Sequence, residues 1–310
     1  MRSLIYIRFQ VKVSRRTFLK LSAPALLAGC SSLSYPSNLA SPEITDTSLP
    51  IPEIPKEFVG YKIAFIADTH LGIYLTKDYL WEIFSKTKKL RPDLLVLGGD
   101  YIWIQRSQLA KAISSITKNS LSGLSRGNLI TEVYNTTAKG ASEVNPPDGI
   151  CAVYGNHDRW EAPVTCKESL ERSGIRVLVN DSYKIRRGSA ELTIYGCDDY
   201  WTGIPKLSLP LKKEKNEIRI VLAHNPDYLA ENANKLNELR VYLALCGHTH
   251  GGQIRFPLVG PFFYNISHRD LIEGLNYLGE TAIYTTRGIG TVEIPLRVNC
   301  PPEITFITLV

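Results

Sequence analysis

Five of the six histidines in this chain sit in short polar clusters, and three of them share the cluster with aspartate or asparagine. The clusters are Asp68-Thr69-His70, Gly98-Gly99-Asp100, Gly155-Asn156-His157-Asp158, His224-Asn225-Pro226 and Gly247-His248-Thr249-His250-Gly251-Gly252. Only His268 lies apart. Imidazole is the commonest metal ligand among side chains, and carboxylate and carboxamide oxygens complement it for first-row divalent ions. One His-x-His is a weak signal, since a hydrogen-bonded core histidine accounts for most of them. Five such clusters, each in an equivalent position, make a shared metal site the better explanation. Neighbouring side chains in an extended segment alternate sides, so His248 and His250 serve one site only if the backbone bends between the flanking glycines.

The position in question is the end of an apolar run. Ile63–Ala67 precedes Asp68, Leu94–Leu97 precedes Asp100, Ile150–Tyr154 precedes Asn156, Ile218–Ala223 precedes His224, and Val241–Cys246 precedes His248. Runs of four to six apolar residues bounded by glycine and polar residues read as strands buried on both faces. Sheets of this kind bind ligands beyond the carboxyl ends of their strands. Helical spacing over 77–90 puts Leu80, Ile83, Phe84, Thr87 and Leu90 on one face, and Arg91-Pro92 ends it. Further helices are expected over 109–118, 164–173 and 226–236, and strands over 176–179, 182–185, 192–196, 281–286 and 303–310. The Arg186-Arg187-Gly188-Ser189 turn joins two of these strands as a hairpin. Residues 119–145 are polar, with more basic than acidic side chains, and are read as a lid or membrane-facing insertion. The apolar stretches Tyr101–Ile104 and Phe256–Tyr264 follow candidate ligands, one read as core or as an apolar wall of the site, the other as a binding loop.

The chain has 310 residues with 36 Lys+Arg and 30 Asp+Glu. Arg2, Arg8, Lys12, Arg15, Arg16 and Lys20 all precede Cys30, and no acid precedes Glu43. Removing those six bases leaves the remainder formally neutral, so nucleic-acid binding by the body is not expected. Ser14-Arg15-Arg16-Thr17-Phe18-Leu19-Lys20 is a twin-arginine signature, and Leu21–Gly29 is shorter than the about 20 residues a bilayer span needs. Leu27-Ala28-Gly29-Cys30 has the pattern of a lipoprotein cleavage box. Residues 1–30 are therefore expected to be a signal or anchor segment, 31–56 a flexible Ser/Pro/Thr-rich linker, and 57–310 a single large domain. An odd number of cysteines after Cys30, with no Cys-x-x-Cys, argues against a disulfide framework; Cys151 and Cys246 read as small core residues.

In order, Asp-x-His, Gly-Asp, Gly-Asn-His-Asp, a lone histidine and Gly-His-x-His resemble the calcineurin-like metallophosphoesterases over about residues 61–310. Ala223–Asp227, Gly247–Gln253, Thr286–Gly290 and Pro301–Ile304 resemble a bacterial, membrane-associated branch that often carries twin-arginine leaders. The resemblance implies an α/β fold, a four-layer α-β-β-α sandwich of two mixed sheets flanked by helices. It implies two divalent metal ions, Mn²⁺ first, with Fe or Zn²⁺ as alternatives. One ion would take Asp68, His70, Asp100 and His250, the other Asp100, Asn156, His224 and His248, with Asp100 bridging. It makes His157 the proton donor to the leaving oxygen, with Asp158 its orienting partner. Many members have a second acid where this chain has Trp103, so the usual orienting carboxylate is missing here. The implied activity is hydrolysis of a phosphodiester or pyrophosphate in a small or lipid-linked substrate, with UDP-2,3-diacylglucosamine, giving UMP and lipid X in lipid A synthesis, as the leading candidate. A general phosphodiesterase or phosphatase of the cell envelope is the alternative, and a metal-binding scaffold without catalysis is the reading from another class. Association with the inner membrane is expected; the leader points to export, whereas that nucleotide sugar points to the cytoplasmic face.

Overall fold

The computed structural model describes residues 33–34, 41–72, 74–104, 125–293 and 295–310. In chain order the main strands are β1 Glu43–Leu49, β2 Lys62–Ile66, β3 Leu94–Leu97, β4 Ile150–Ala152, β5 Ile175–Val177, β6 Asp181–Arg187, β7 Ala190–Gly196, β8 Glu217–Leu222, β9 Leu243–Cys246, β10 Gly274–Leu278, β11 Thr281–Thr285 and β12 Glu303–Leu309. The helices are α1 Lys77–Lys89, α2 Arg126–Ser142, α3 Asn156–Glu161, α4 Pro163–Arg172, α5 Pro226–Glu231 and α6 Ala233–Glu238.

Two six-stranded mixed sheets form, in the orders β1-β12-β2-β3-β4-β5 and β10-β11-β9-β8-β7-β6. Strands β2, β3, β4 and β5 run parallel, as do β7, β8, β9 and β11. Alternation along each strand explains why the runs are apolar throughout. Leu94 and Val96 of β3 face the other sheet and meet Ile194, Ile220 and Leu243 in the central core. Leu95 and Leu97 face outward, onto Leu80, Ile83 and Phe84 of α1, Val133 and Tyr134 of α2, and Leu170 of α4. Val221, Ala244 and Ile283 of the second sheet cover Leu229, Leu236 and Leu239 beside α5 and α6. The result is the four-layer α-β-β-α sandwich expected from the sequence.

Three expectations are corrected. Part of the expected linker, Glu43–Leu49, is strand β1, paired in parallel with β12 along its whole length. Its apolar signal is thin because it is an edge strand, mostly exposed on one face. The described part of the expected insertion, 125–145, contains α2, packed between α1 and α4. Its buried face is made of small or hydroxylated residues, including Thr136, Thr137, Ala138, Gly140 and Ala141. A Cβ at Gly140 would lie 2.7 Å from the Phe84 ring, so the two helices approach too closely for larger side chains. Thr137 Oγ1 donates to the Val133 carbonyl at 3.1 Å, which satisfies a buried hydroxyl within the helix. The single helix expected over 226–236 is two short ones, α5 and α6, broken at Asn232. The helix expected over 109–118 and the leader, including Cys30, lie outside the described residues.

The two sheets are pinned together by Glu303, the first residue of β12, which is 2% exposed. Its carboxylate accepts hydrogen bonds from Tyr284 Oη of β11, from Arg287 N and Nε at 3.0 and 2.9 Å, and from Thr305 Oγ1 at 3.0 Å. Burial opposes the ionised form, but the Arg287 charge and these donors outweigh it and hold the pKa below the ordinary glutamate range. A depressed carboxyl pKa contributes stability above its unfolded value, and that contribution is lost as pH falls through the folded value. Glu303→Gln is expected to cost about 2–4 kcal/mol at neutral pH. Thermal unfolding scans should show this deficit shrinking as the pH falls from the ordinary glutamate pKa through the folded value, as first the unfolded and then the native carboxylate is protonated.

Candidate metal centre

All five clusters lie at carboxyl ends of strands on one edge of the sandwich: those after β2, β3 and β4 in the first sheet, and those after β8 and β9 in the second. At these ends the chain must turn each ligand inward within one or two residues. Asp68, His70, Asp100, His248 and His250 all have positive φ, from 45° to 72°. Non-glycine residues rarely hold this conformation, which costs of order 1–3 kcal/mol each, and it concentrates at functional sites. Between His248 and His250 the chain bends as the sequence requires, and Gly251 and Gly252 continue the turn at φ 59° and 76°.

Six of the seven candidate ligands converge in two groups, and the seventh, Asn156, follows β4 on the same edge. Asp68, His70 and His250 form one buried group and Asp100, His224 and His248 another. Asp100 joins them: its Oδ2 lies 3.6 Å from His70 Nε2 and 3.2 Å from His224 Nε2. Asp68 Oδ1 is 3.8 Å from His250 Nε2 and 3.9 Å from His224 Nε2. His70 Nε2 and His250 Nε2 point at each other across 3.0 Å. The remaining oxygen of Asp100, Oδ1, accepts the His157 amide at the start of α3 at 2.8 Å. His224 is oriented by its other nitrogen, Nδ1, 2.7 Å from the Gly98 carbonyl, and His70 by Nδ1, 3.3 Å from the Ile102 carbonyl.

The donor atoms fit cations. Asn156 Oδ1 and His248 Nε2 are buried without a hydrogen-bond partner, and His224 Nε2 faces only the carboxylates of Asp100 and Asp68. Unpaired polar atoms are rare in protein interiors, and these suit an ion. Burial lowers the pKa of His70 and of His248 to about 3, so both imidazoles are neutral, the state a ligand needs. Burial lowers His250 as well, helped by His70 and by Arg297, whose Nη2 is 3.4 Å from His250 Nδ1. Burial works against charge on His224 too, but Asp100 and Asp68 outweigh it and push its pKa up to about 10, while Asp100 is held well below the carboxylate range. A cation placed between these groups supplies the positive charge that the His224 proton otherwise brings. Oxygen and imidazole donors suit Mn²⁺, Fe or Zn²⁺.

His157 adjoins both groups, and its ring also clusters with His70 and Asp100 in a third set of possible ligand atoms. Its ring meets His70 at 5.0 Å, Trp103 at 4.5 Å and Trp160 at 4.8 Å, each edge to face. Trp103, read as core or wall, is both: it is 8% exposed and borders the His157 and His70 rings. Asp158 departs from its expected role. Its carboxylate accepts the backbone N–H groups of Asp100, Tyr101 and Gly155 at 2.7, 3.0 and 2.9 Å, so it braces the Asp100 loop instead of orienting the His157 ring. Burial raises its pKa to about 8, with Asp100 adding to the rise.

Several residues at the site had no role assigned from sequence. Arg297 is fully buried and donates to the Gly290 and Arg287 carbonyls at 2.6 and 2.8 Å beneath His250. Asp199, 1% exposed, follows β7 on the same edge and contributes to the field on His224. Trp160, in α3, borders His157, and Trp201, in the loop after β7, borders His248. The strand-end rule applied to 192–196 would have flagged Asp198-Asp199; nothing in the spacing foretells the two tryptophans. His268, set apart in the sequence, pairs with Asp227 at 2.8 Å.

The sequence model described as calcineurin-like phosphoesterase matches residues 61–252. Phosphodiesterase YaeI of Escherichia coli (strain K12) is 35% identical over 253 residues, covering 81% of this chain and 82% of that protein. Uncharacterized metallophosphoesterase YkuE of Bacillus subtilis (strain 168) is 31% identical over 310 residues, covering 96% and 98%. Among solved structures, a dimetal phosphatase from Danio rerio aligns with TM-score 0.46 at 12% identity, covering 81% of this chain and 99% of that one.

The tightest backbone approach in the centre gives a test of its geometry. A Cβ on Gly155 would lie 2.1 Å from Asp100 Oδ1 and 2.5 Å from Asp100 N. Gly155→Ala is expected to displace the Asp100 carboxylate and to lower stability by about 1–3 kcal/mol. Elemental analysis should find the purified variant depleted of metal, while circular dichroism retains the wild-type content of helix and strand.

Proposed function

The chain belongs to the calcineurin-like phosphoesterases and is a hydrolase of phosphoester bonds, and we propose that it works through two divalent ions bridged by Asp100. In this reading Asp68, His70, Asp100 and His250 hold one ion, and Asp100, Asn156, His224 and His248 hold the other. The observation that carries it is the placement of Asp100 Oδ2 between His70 of one group and His224 of the other. Two such ions supply Lewis-acid activation of the phosphoryl group and charge stabilisation of its displacement. The chain's own part would be to hold the ions, to keep His70, His248 and His250 neutral and to deliver a proton. His157 is the proton donor to the leaving oxygen, its amide anchored on Asp100 and its ring lodged between Trp103 and Trp160.

For the substrate we favour a phosphodiester or pyrophosphate in a membrane-associated, lipid-linked molecule, with UDP-2,3-diacylglucosamine the first to test. Support comes from the apolar hairpin that leaves the His248-His250 turn: Leu258, Val259, Phe262 and Phe263 are exposed at its end. An acyl-bearing substrate at a bilayer surface would cover such residues. No helix among the described residues is long and apolar enough to cross a membrane, so attachment would rest on the leader, with Cys30 as a lipidation site, and on this hairpin. The protein would then reside at the inner membrane of the cell envelope. A second reading, a general phosphodiesterase of the envelope, is favoured by similarity to the Escherichia coli phosphodiesterase YaeI. Mn²⁺ is the first ion to try, with Fe and Zn²⁺ next.

Asp100→Ala and Asn156→Ala are expected to abolish hydrolysis of bis-p-nitrophenyl phosphate and to reduce bound metal. His157→Ala should keep its metal and lose about 10²–10⁴-fold in turnover. Wild-type turnover by His157→Ala would remove that residue from the reaction. Release of UMP from UDP-2,3-diacylglucosamine, measured against bis-p-nitrophenyl phosphate, decides between the two substrate readings.

A further inference from the structure

Two tryptophans flank the candidate metal centre from opposite sheets. Trp160, in α3 after β4, meets the His157 ring at 4.8 Å, and Trp201, in the loop after β7, meets the His248 ring at 4.4 Å. Their own ring centroids are 6.4 Å apart and their planes are inclined by 36°. Each remains close to half exposed, at 46% and 45%. A large aromatic side chain left half in water gains little for the fold. Yet the loop that carries Trp201 is built from buried polar groups. Asp199 accepts from Trp201 N, Thr202 N and Thr202 Oγ1 at 3.0, 2.8 and 2.6 Å. Asp198 accepts from Ile204 N at 3.0 Å, and Asn180 Oδ1 accepts from Asp198 N and Lys206 N at 3.0 and 2.8 Å. The Asp198 carboxylate also takes the Arg159 guanidinium at 2.5 Å, which ties the Trp201 loop to the residue beside Trp160. The indoles are thus set in position before any ligand arrives.

We propose that Trp160 and Trp201 form a stacking wall for a planar aromatic group carried on the substrate's phosphorus, an aryl or nucleoside ester, and so select such esters over alkyl ones. The wall is continuous with the candidate site, since Trp201 touches the candidate ligand His248 and Trp160 touches His157, whose amide is bound to Asp100. Arg159, next to Trp160 in sequence, is already paired with Asp198, so recognition there rests on ring faces rather than on charge. Stacking on an indole is tolerant of which ring is offered, as long as it is flat. The proposal deepens the two-ion reading above and rests on it for where the phosphorus sits.

Binding of phosphonates to the metal-loaded protein, followed by calorimetry, tests both readings separately. Phenylphosphonate is expected to bind about tenfold more tightly than methylphosphonate or cyclohexylphosphonate. Trp201→Ala and Trp160→Ala should each bring the phenyl-to-methyl ratio towards one, and Trp201→Phe should restore most of it. A purely structural role for Trp201 would weaken all three ligands together and leave the ratio intact, which would overturn the wall. Cyclohexylphosphonate binding as well as phenylphosphonate would also overturn it, in favour of a general apolar surface. Methylphosphonate affinity that survives removal of metal by EDTA would overturn the two-ion reading and leave the ratio test of the wall standing.

Discussion

The centre depends on one carboxylate shared between two half-sites. Asp100 lies within 3.6 Å of His70, which belongs to the first sheet, and 3.2 Å of His224, which belongs to the second. Each sheet alone presents an incomplete ligand set. The ligands meet only because the two sheets pack face to face with the carboxyl ends of β2, β3, β4, β8 and β9 on a common edge. Packing in the central core and the arrangement of the site are therefore one property of the fold, and the Glu303 carboxylate, which joins β12 to Tyr284 in the opposite sheet, maintains both.

Holding charged and polar groups this close works against folding stability. Desolvation raises the Asp68 pKa to about 7 and pushes His70 and His248 far down, and five ligand residues sit on backbone of positive φ. Local sequence does not favour these conformations; the surroundings impose them. The carboxylate of Asp158 draws three backbone N–H groups onto one point, and Gly99 and Gly155 allow the Asp100 and Asn156 loops to touch. Arg297 gathers the carbonyls of Arg287, Gly288 and Gly290 beneath His250. The strain is confined to loops, while the strands behind them are ordinary and fully buried, so ligand positions are fixed from behind.

What the sequence disclosed follows from what sequence patterns encode. Strands buried on both faces must be apolar at every position, so Leu94–Leu97 and Leu243–Cys246 were readable, and with them the position of each ligand cluster. β1 was not, because its one extensive partner is β12, more than 250 residues further along, and an edge strand needs few apolar residues. α2 was missed because close approach to α1 selects glycine, alanine and threonine, residues that a search for apolar periodicity treats as loop. Asp158 was assigned to its neighbour His157, whereas its partners are backbone groups that no side-chain pattern reports. The indoles of Trp160 and Trp201 are 41 residues apart in sequence and come together only through the packing of two sheets.

The tryptophan at position 103 bears on how His157, the proposed proton donor, is held. A second acid near this position would fix the imidazole by a hydrogen bond and raise its pKa. Here the His157 ring is bounded instead by the edges and faces of Trp103, Trp160 and His70, and burial lowers its pKa from the ordinary histidine range, with Asp100 opposing the shift and His224 adding to it. Aromatic contacts fix the plane of a ring but give it no preferred tautomer. Trp160 also belongs to the proposed stacking wall, so in the proposed reading one indole both positions His157 and receives the departing group.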